Sequence, residues 1–157
     1  MRRPACFALV ALALAACQQP EPKVYDVETT RLYTEDKRAA FDSILRFLES
    51  QDIEVIGGSV ESGMIHAERR NFDDVGWADC ERKTVTDRTS NSPRKIRANP
   101  VERNLDLRIV LTETDSGTEV DLDPEFTEKQ VNPFTNLPFT VPCRSKGVLE
   151  AELLNSI

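Results

Sequence analysis

The stretch from Glu102 to Phe126 constrains this chain more than any other. Leu105, Leu107, Ile109 and Leu111 alternate with Asn104, Asp106 and Arg108, and alternation at a period of two marks a strand that buries one face only. Asp115-Ser116-Gly117 supplies a turn, after which Val120, Leu122 and Phe126 alternate with Glu119, Asp121, Asp123 and Glu125. With Ser116 and Gly117 as the loop residues, Leu111 faces Leu122, Leu107 faces Phe126 and Arg108 faces Glu125. A hairpin of this kind is not stable alone in water, so its apolar face needs a cover.

Helical periodicity identifies the cover. Across Thr34 to Gln51, Ala40, Phe41, Ile44, Leu45 and Leu48 fall on one face, with Thr34 as the expected cap and Glu35 and Asp36 in the first turn. A second helix is expected over Ser145 to Ile157, with Leu149, Leu153 and Ile157 on one side. Between the first helix and the hairpin, Ile53 to Ile56 and Met64 to Arg70 read as strands around Gly57-Gly58 and Ser62-Gly63, and Cys80 to Thr86 as a third. Asn71 to Ala78, Asp87 to Pro100 and Asn132 to Pro142 read as loops. The expected fold is α+β: an antiparallel sheet of about four or five strands with two helices packed on one face.

The N-terminus carries an address. Arg2 and Arg3 precede the apolar run Ala5 to Ala16, which is too short for a transmembrane helix but has the plan of an export signal. Leu14-Ala15-Ala16-Cys17 resembles the lipobox of bacterial lipoproteins. That resemblance implies cleavage before Cys17, a diacylglyceryl group on its thiol and acylation of the new amino terminus. Residues 1–16 are then a signal peptide, 17–23 a lipidated tether and 24–157 a single periplasmic domain. Loss of Arg2 and Arg3 takes the net charge from -7 to -9, a balance that excludes a dedicated nucleic-acid binder. Membrane association is expected through the acyl chains on Cys17, and Gln18 after it favours the periplasmic face of the outer membrane over retention in the inner one. The element order is also loosely similar to small α+β modules of envelope lipoproteins, including the C-subunit lipoprotein of the outer-membrane β-barrel assembly machinery. The stretch Cys143 to Glu150 is similar to a recurrent ending of proteobacterial lipoproteins. Neither resemblance carries a binding residue over.

Of the four cysteines, Cys6 leaves with the signal and Cys17 is taken by lipid. Cys80 and Cys143 are expected to pair as a disulfide in an oxidising compartment; a zinc set would lack partners, and neither lies in a C-x-x-C motif.

Candidate chemistry is sparse. The single His66 has no nucleophile elbow to serve. Glu119, Asp121, Asp123 and Glu125 form a row on a strand that reads as a solvated acidic face or a docking surface, and lacks the glycine turn of a calcium loop. Arg94, Lys95 and Arg97 gather in the expected loop from Asp87 to Pro100, where they read as a partner- or phosphate-binding group. No cofactor and no metal are expected. The expected role is a non-enzymatic interaction module, with an envelope protein complex as partner. The alternatives are a ligand- or ion-binding protein, or an enzyme using Asp73, Asp74 or Asp79 near Trp77.

Overall fold

A computed structural model describes residues 23–72, 76–89 and 92–157. Cys17, Asp73 and Asp74 lie outside the described residues. In chain order the elements are β1 (Thr30–Tyr33), α1 (Lys37–Ser50), β2 (Glu54–Ser59), β3 (Met64–Arg70), β4 (Ala78–Asp79), β5 (Thr84–Asp87), β6 (Arg94–Arg97), β7 (Asn99–Thr114), β8 (Gly117–Val131), β9 (Pro138–Pro142), β10 (Arg144–Ser145) and α2 (Val148–Leu154). The architecture is α+β, dominated by antiparallel sheet. The main sheet has six strands, more than the four or five expected, in the order β2-β3-β7-β8, with β1 and β9 both on the outer edge of β8.

Two strands share that edge because β8 is long, and Pro124 marks where one gives way to the other. The N–H of Leu122 donates to Thr29 O on the β1 side, and the N–H of Cys143 donates to Phe126 O on the β9 side. Successive backbone groups alternate in direction along a strand, so Pro124, halfway between, would aim its N–H at the same outer edge, in the gap between the two partners. A residue with no N–H fits there, and this is how a proline sits inside a strand with neighbours on both sides. The strand β9 was expected to be loop. Its prolines, Pro138 and Pro142, stand at its two ends on the sheet edge, where a missing donor costs least.

The hairpin forms with its faces as expected and its register shifted by two. Leu111 pairs with Val120, Ile109 with Leu122, Leu107 with Pro124, Leu105 with Phe126 and Arg108 with Asp123. The loop residues are Asp115 and Ser116, because Gly117 pairs with Thr114. Gly117 has φ +138°, and a Cβ there would overlap the Tyr33 carbonyl oxygen, so the glycine serves the close approach of the chain at Tyr33. A shift of two returns every side chain to its own face, which is why the apolar pattern permits both registers.

α1 starts later than expected. Asp36, not Thr34, is its N-cap, accepting from the Ala39 N–H at 2.8 Å. Thr34 and Glu35 remain in the connection, where the buried Thr118 hydroxyl donates to Glu35 O at 2.9 Å. α1 buries Ala40, Phe41, Ile44 and Leu48, and α2 buries Leu149, Leu153 and Leu154, in one cluster with Ile65, Leu107, Ile109, Val120 and Leu122 of the sheet. Both helices therefore cover the same face. Truncating a fully buried member such as Ile44 or Leu107 to Ala would cost about 2–5 kcal/mol.

The segment after β3 departs most from the expected order. Trp77, placed by sequence in a polar loop, is buried, with its ring 5.5 Å from that of Phe72 and the Arg69 guanidinium 5.3 Å above it. β4 then pairs with β10 through Ala78–Ser145 and Asp79–Arg144, and Cys80–Cys143 bridges the adjacent position, with Cα atoms 4.3 Å apart. The expected third strand begins only at Thr84. Arg94–Arg97, expected to be loop, pairs with it, making β5 and β6 a separate two-stranded ribbon.

Closing a loop with a sequence separation of 63 contributes roughly 4 kcal/mol in the chain-entropy model. Cys80→Ser or Cys143→Ser should lower stability by about 2–4 kcal/mol, and the double variant should be no worse than either single one. Denaturant titration of the three variants checks this; thiol labelling of the unfolded, unreduced domain should find neither cysteine free.

Candidate functional site

The ribbon begins at a polar anchor built into the sheet. Core positions on β8 are the even ones, Val120, Leu122 and Phe126, and the series continues with Glu128 and Gln130, both almost fully buried. Here α1 and α2 no longer cover the sheet, and the chain from Glu81 to Lys83 crosses it instead. Gln130 donates to Glu81 O at 3.0 Å and accepts from the Lys83 N–H at 3.1 Å, supplying backbone that lies outside any ladder with side-chain partners. Its amide also donates to Glu128 at 2.8 Å. The other Glu128 oxygen accepts from Arg103 Nε at 2.8 Å, with Arg103 23% exposed and Glu128 1%. The Ala98 N–H donates to Lys83 O at 2.8 Å and ties the end of the ribbon to its start.

Within the ribbon, Thr84 pairs with Arg97, Val85 with Ile96, Thr86 with Lys95 and Asp87 with Arg94. Paired residues share a face, so Lys95 and Arg97 stand on one side with Thr84 and Thr86. Arg94 stands on the other with Ile96, Val85 and Asp87. The three cations read as one group are thus divided two and one. All four residues of β6 are exposed, and neither Lys95 nor Arg97 has an ion-pair partner among the described residues. Asp87 is committed locally: hydrogen bonds from the Thr89 hydroxyl and N–H hold its carboxyl below the usual range, helped by Arg94.

Two cations invisible as candidates in the sequence join the base of the ribbon. Lys23 and Lys83 line one recess of about 590 Å³ with Asp79, Glu81, Cys143 and Arg144. Arg144 donates to Lys23 O at 3.3 Å, so the chain leading from the N-terminus enters the domain beside Lys83, the residue before β5. Asp79, a candidate carboxylate, accepts from the Tyr25 hydroxyl at 2.9 Å and so helps hold that entering chain.

The acidic row Glu119, Asp121, Asp123 and Glu125 lies on the uncovered face of the sheet, and pairing across the strands adds Asp106, Glu68 and Glu54 to it. Like charges on adjacent strands destabilise, and the relief is local: His66 Nε2 lies 3.0 Å from Asp106, Arg70 pairs with Glu68 at 2.9 Å, and Arg108 stands opposite Asp123. His66 is therefore a hydrogen-bond partner of Asp106 on an open sheet. No three His, Cys, Asp or Glu side chains among those residues converge on a metal position, and no helix there is long and apolar enough to cross a membrane. The seven-residue acidic row occupies the open face of the sheet, while the base of the ribbon is anchored through Glu128 and Gln130 on the face that carries the helices.

Replacing Gln130 by Leu should destabilise the domain by about 2–4 kcal/mol, because it leaves Glu128 and the backbone of Glu81 and Lys83 short of partners. Hydrogen exchange at the Lys83 amide should accelerate beyond the change in global stability; exchange that merely follows global unfolding would remove Gln130 from its anchoring role. The two tyrosines should titrate above free tyrosine, Tyr25 because its hydroxyl bonds to Asp79 and Tyr33 because it is desolvated by burial. Raised folded-state values mean that their contribution to stability is present below about pH 10 and is lost as the pH rises through them. Phenolate absorbance, followed in native and denatured protein and in Tyr25→Phe, checks both.

No protein-family model matches the sequence, and no curated protein matches it either, so the functional reading rests on these residues.

Proposed function

We propose that the chain is a lipid-anchored, non-enzymatic interaction module held at the periplasmic face of the outer membrane through Cys17, with the β5–β6 ribbon as its contact surface. The ribbon carries this reading: it projects Lys95 and Arg97, exposed and unpaired among the described residues, from a base fixed by Gln130 and Glu128. A loop that served only as a connection would have no use for a buried polar anchor, which costs desolvation to build. The compartment is supported by the disulfide, which belongs in an oxidising environment. Acyl chains suit an acidic protein because each buried methylene contributes about 0.8 kcal/mol and no basic domain is needed for stable anchoring.

In fractionated cells, Cys17→Ser should move the protein from the membrane pellet to the soluble fraction after a salt wash, while the wild type stays with the outer membrane. A variant that still pellets after that wash overturns the tether.

A further inference from the structure

We infer that the β5–β6 ribbon, with Lys23, Lys83 and Arg144 at its base, is a second membrane contact that binds the phosphates of anionic phospholipid headgroups and sets which way the anchored domain faces. This rests on the lipid-tether reading for its cellular setting, although the binding itself belongs to the ribbon.

Three observations converge. The first is where the tether enters. Lys23 lies in one recess with Lys83 and Arg144, and only six peptide units separate it from Cys17, a reach of about 20 Å at full extension. Lys23 then lies no farther than that from Cys17, the base of the ribbon lies across one recess from it, and the four residues of β5 span about 13 Å beyond.

The second is charge. Arg94, Lys95 and Arg97 lie on one four-residue strand and Lys23, Lys83 and Arg144 around its base. Asp87 stands opposite Arg94, Glu81 pairs with Lys83 at 3.1 Å and Asp79 lines the same recess. Cations therefore outnumber acids there, and on the strand Lys95 and Arg97 are the ones without an acidic partner among the described residues. Arginine forms bidentate pairs with phosphate, and lysine adds a compact charge. On the opposite face of the main sheet stand Glu54, Glu68, Asp106, Glu119, Asp121, Asp123 and Glu125. An anionic bilayer attracts the first group and repels the second, so the two act in one sense and turn the acidic sheet toward the aqueous space. The third is Ile96, 44% exposed on the ribbon face that also carries Arg94, with Lys95 and Arg97 on the face behind it. Apolar side chains interleaved with cations suit the headgroup boundary, where the one is buried shallowly and the others pair with phosphate.

The test uses the mature chain with Cys17→Ser, so that no acyl chain contributes, in co-sedimentation at low ionic strength. Phosphatidylcholine vesicles containing phosphatidylglycerol should bind it, and vesicles of phosphatidylcholine alone should not. Lys95→Gln with Arg97→Gln should weaken binding about 30-fold, from the affinity each cation adds at a charged surface, with the melting temperature nearly unchanged because exposed charges contribute little to stability. Arg38→Gln with Arg108→Gln removes the same net charge elsewhere and should have little effect. Equal binding to both vesicle types, equal losses in the two double variants, or equally tight binding to polyglutamate would each overturn the inference. None of these outcomes bears on Cys17, whose role is decided separately by fractionation.

Discussion

The hairpin outruns its cover, and most of the molecule follows from that. β8 has 15 residues and α1 has 14, yet at about 3.3 Å per residue in a strand against 1.5 Å in a helix the strand is roughly twice as long. Two helices bury one half of the apolar face, and the other half needs a different lid. The segment from Trp77 to Lys83 supplies it. Trp77 and Phe72 fill the junction apolarly, Cys80 is fastened to Cys143, and beyond them the sheet offers Glu128 and Gln130 in place of hydrocarbon. The edge obeys the same constraint: no single short strand could pair with the whole of β8, so β1 and β9 divide it around Pro124.

Polar residues at core positions are expensive, and the structure shows why these are tolerated. Glu128 and Gln130 are hydrogen-bonded through each of their side-chain oxygens and the Gln130 amide, so burial strands none of these atoms. The arrangement also fixes position. An apolar lid would allow the crossing segment to slide, whereas a glutamine that reads one carbonyl and one N–H accepts a single placement. The direction in which the ribbon leaves the domain is therefore set by side chains on β8.

What the sequence disclosed and what it hid divide along the range of the interactions concerned. Amphipathic periodicity revealed α1, α2, β3 and the two faces of β7 and β8, because each depends on which side of one element meets oil. The disulfide followed from counting cysteines. The register did not, since Gly117 answers to Tyr33, more than eighty residues away in the chain. β9 was hidden by its prolines, which exclude a central strand but suit an edge. β6 was hidden because a ribbon exposed on both sides has no apolar alternation to read. Of the candidate site, Arg94, Lys95 and Arg97 were visible as composition, while their division between two faces needed the pairing of β5 with β6. Lys83 and Lys23 carried no signal at all, and Glu128 and Gln130 carried one that was overlooked: they extend the even-numbered series of β8 in polar form.

The position of the disulfide also determines how the domain would respond to being pulled. The bridge encloses everything from Cys80 to Cys143, including the whole of β7 and β8, and leaves β1, α1, β2 and β3 outside it. Tension entering through the N-terminus meets the Lys23–Arg144 and Tyr25–Asp79 hydrogen bonds first, then the four paired residues of β1, then α1 and the two strands that follow. The covalent loop withholds roughly 200 Å of extended chain from that path. Under load the molecule would release the chain before Cys80 and keep its central hairpin, so a domain strained at its anchor would retain a folded remnant around which the released strands could find their places again.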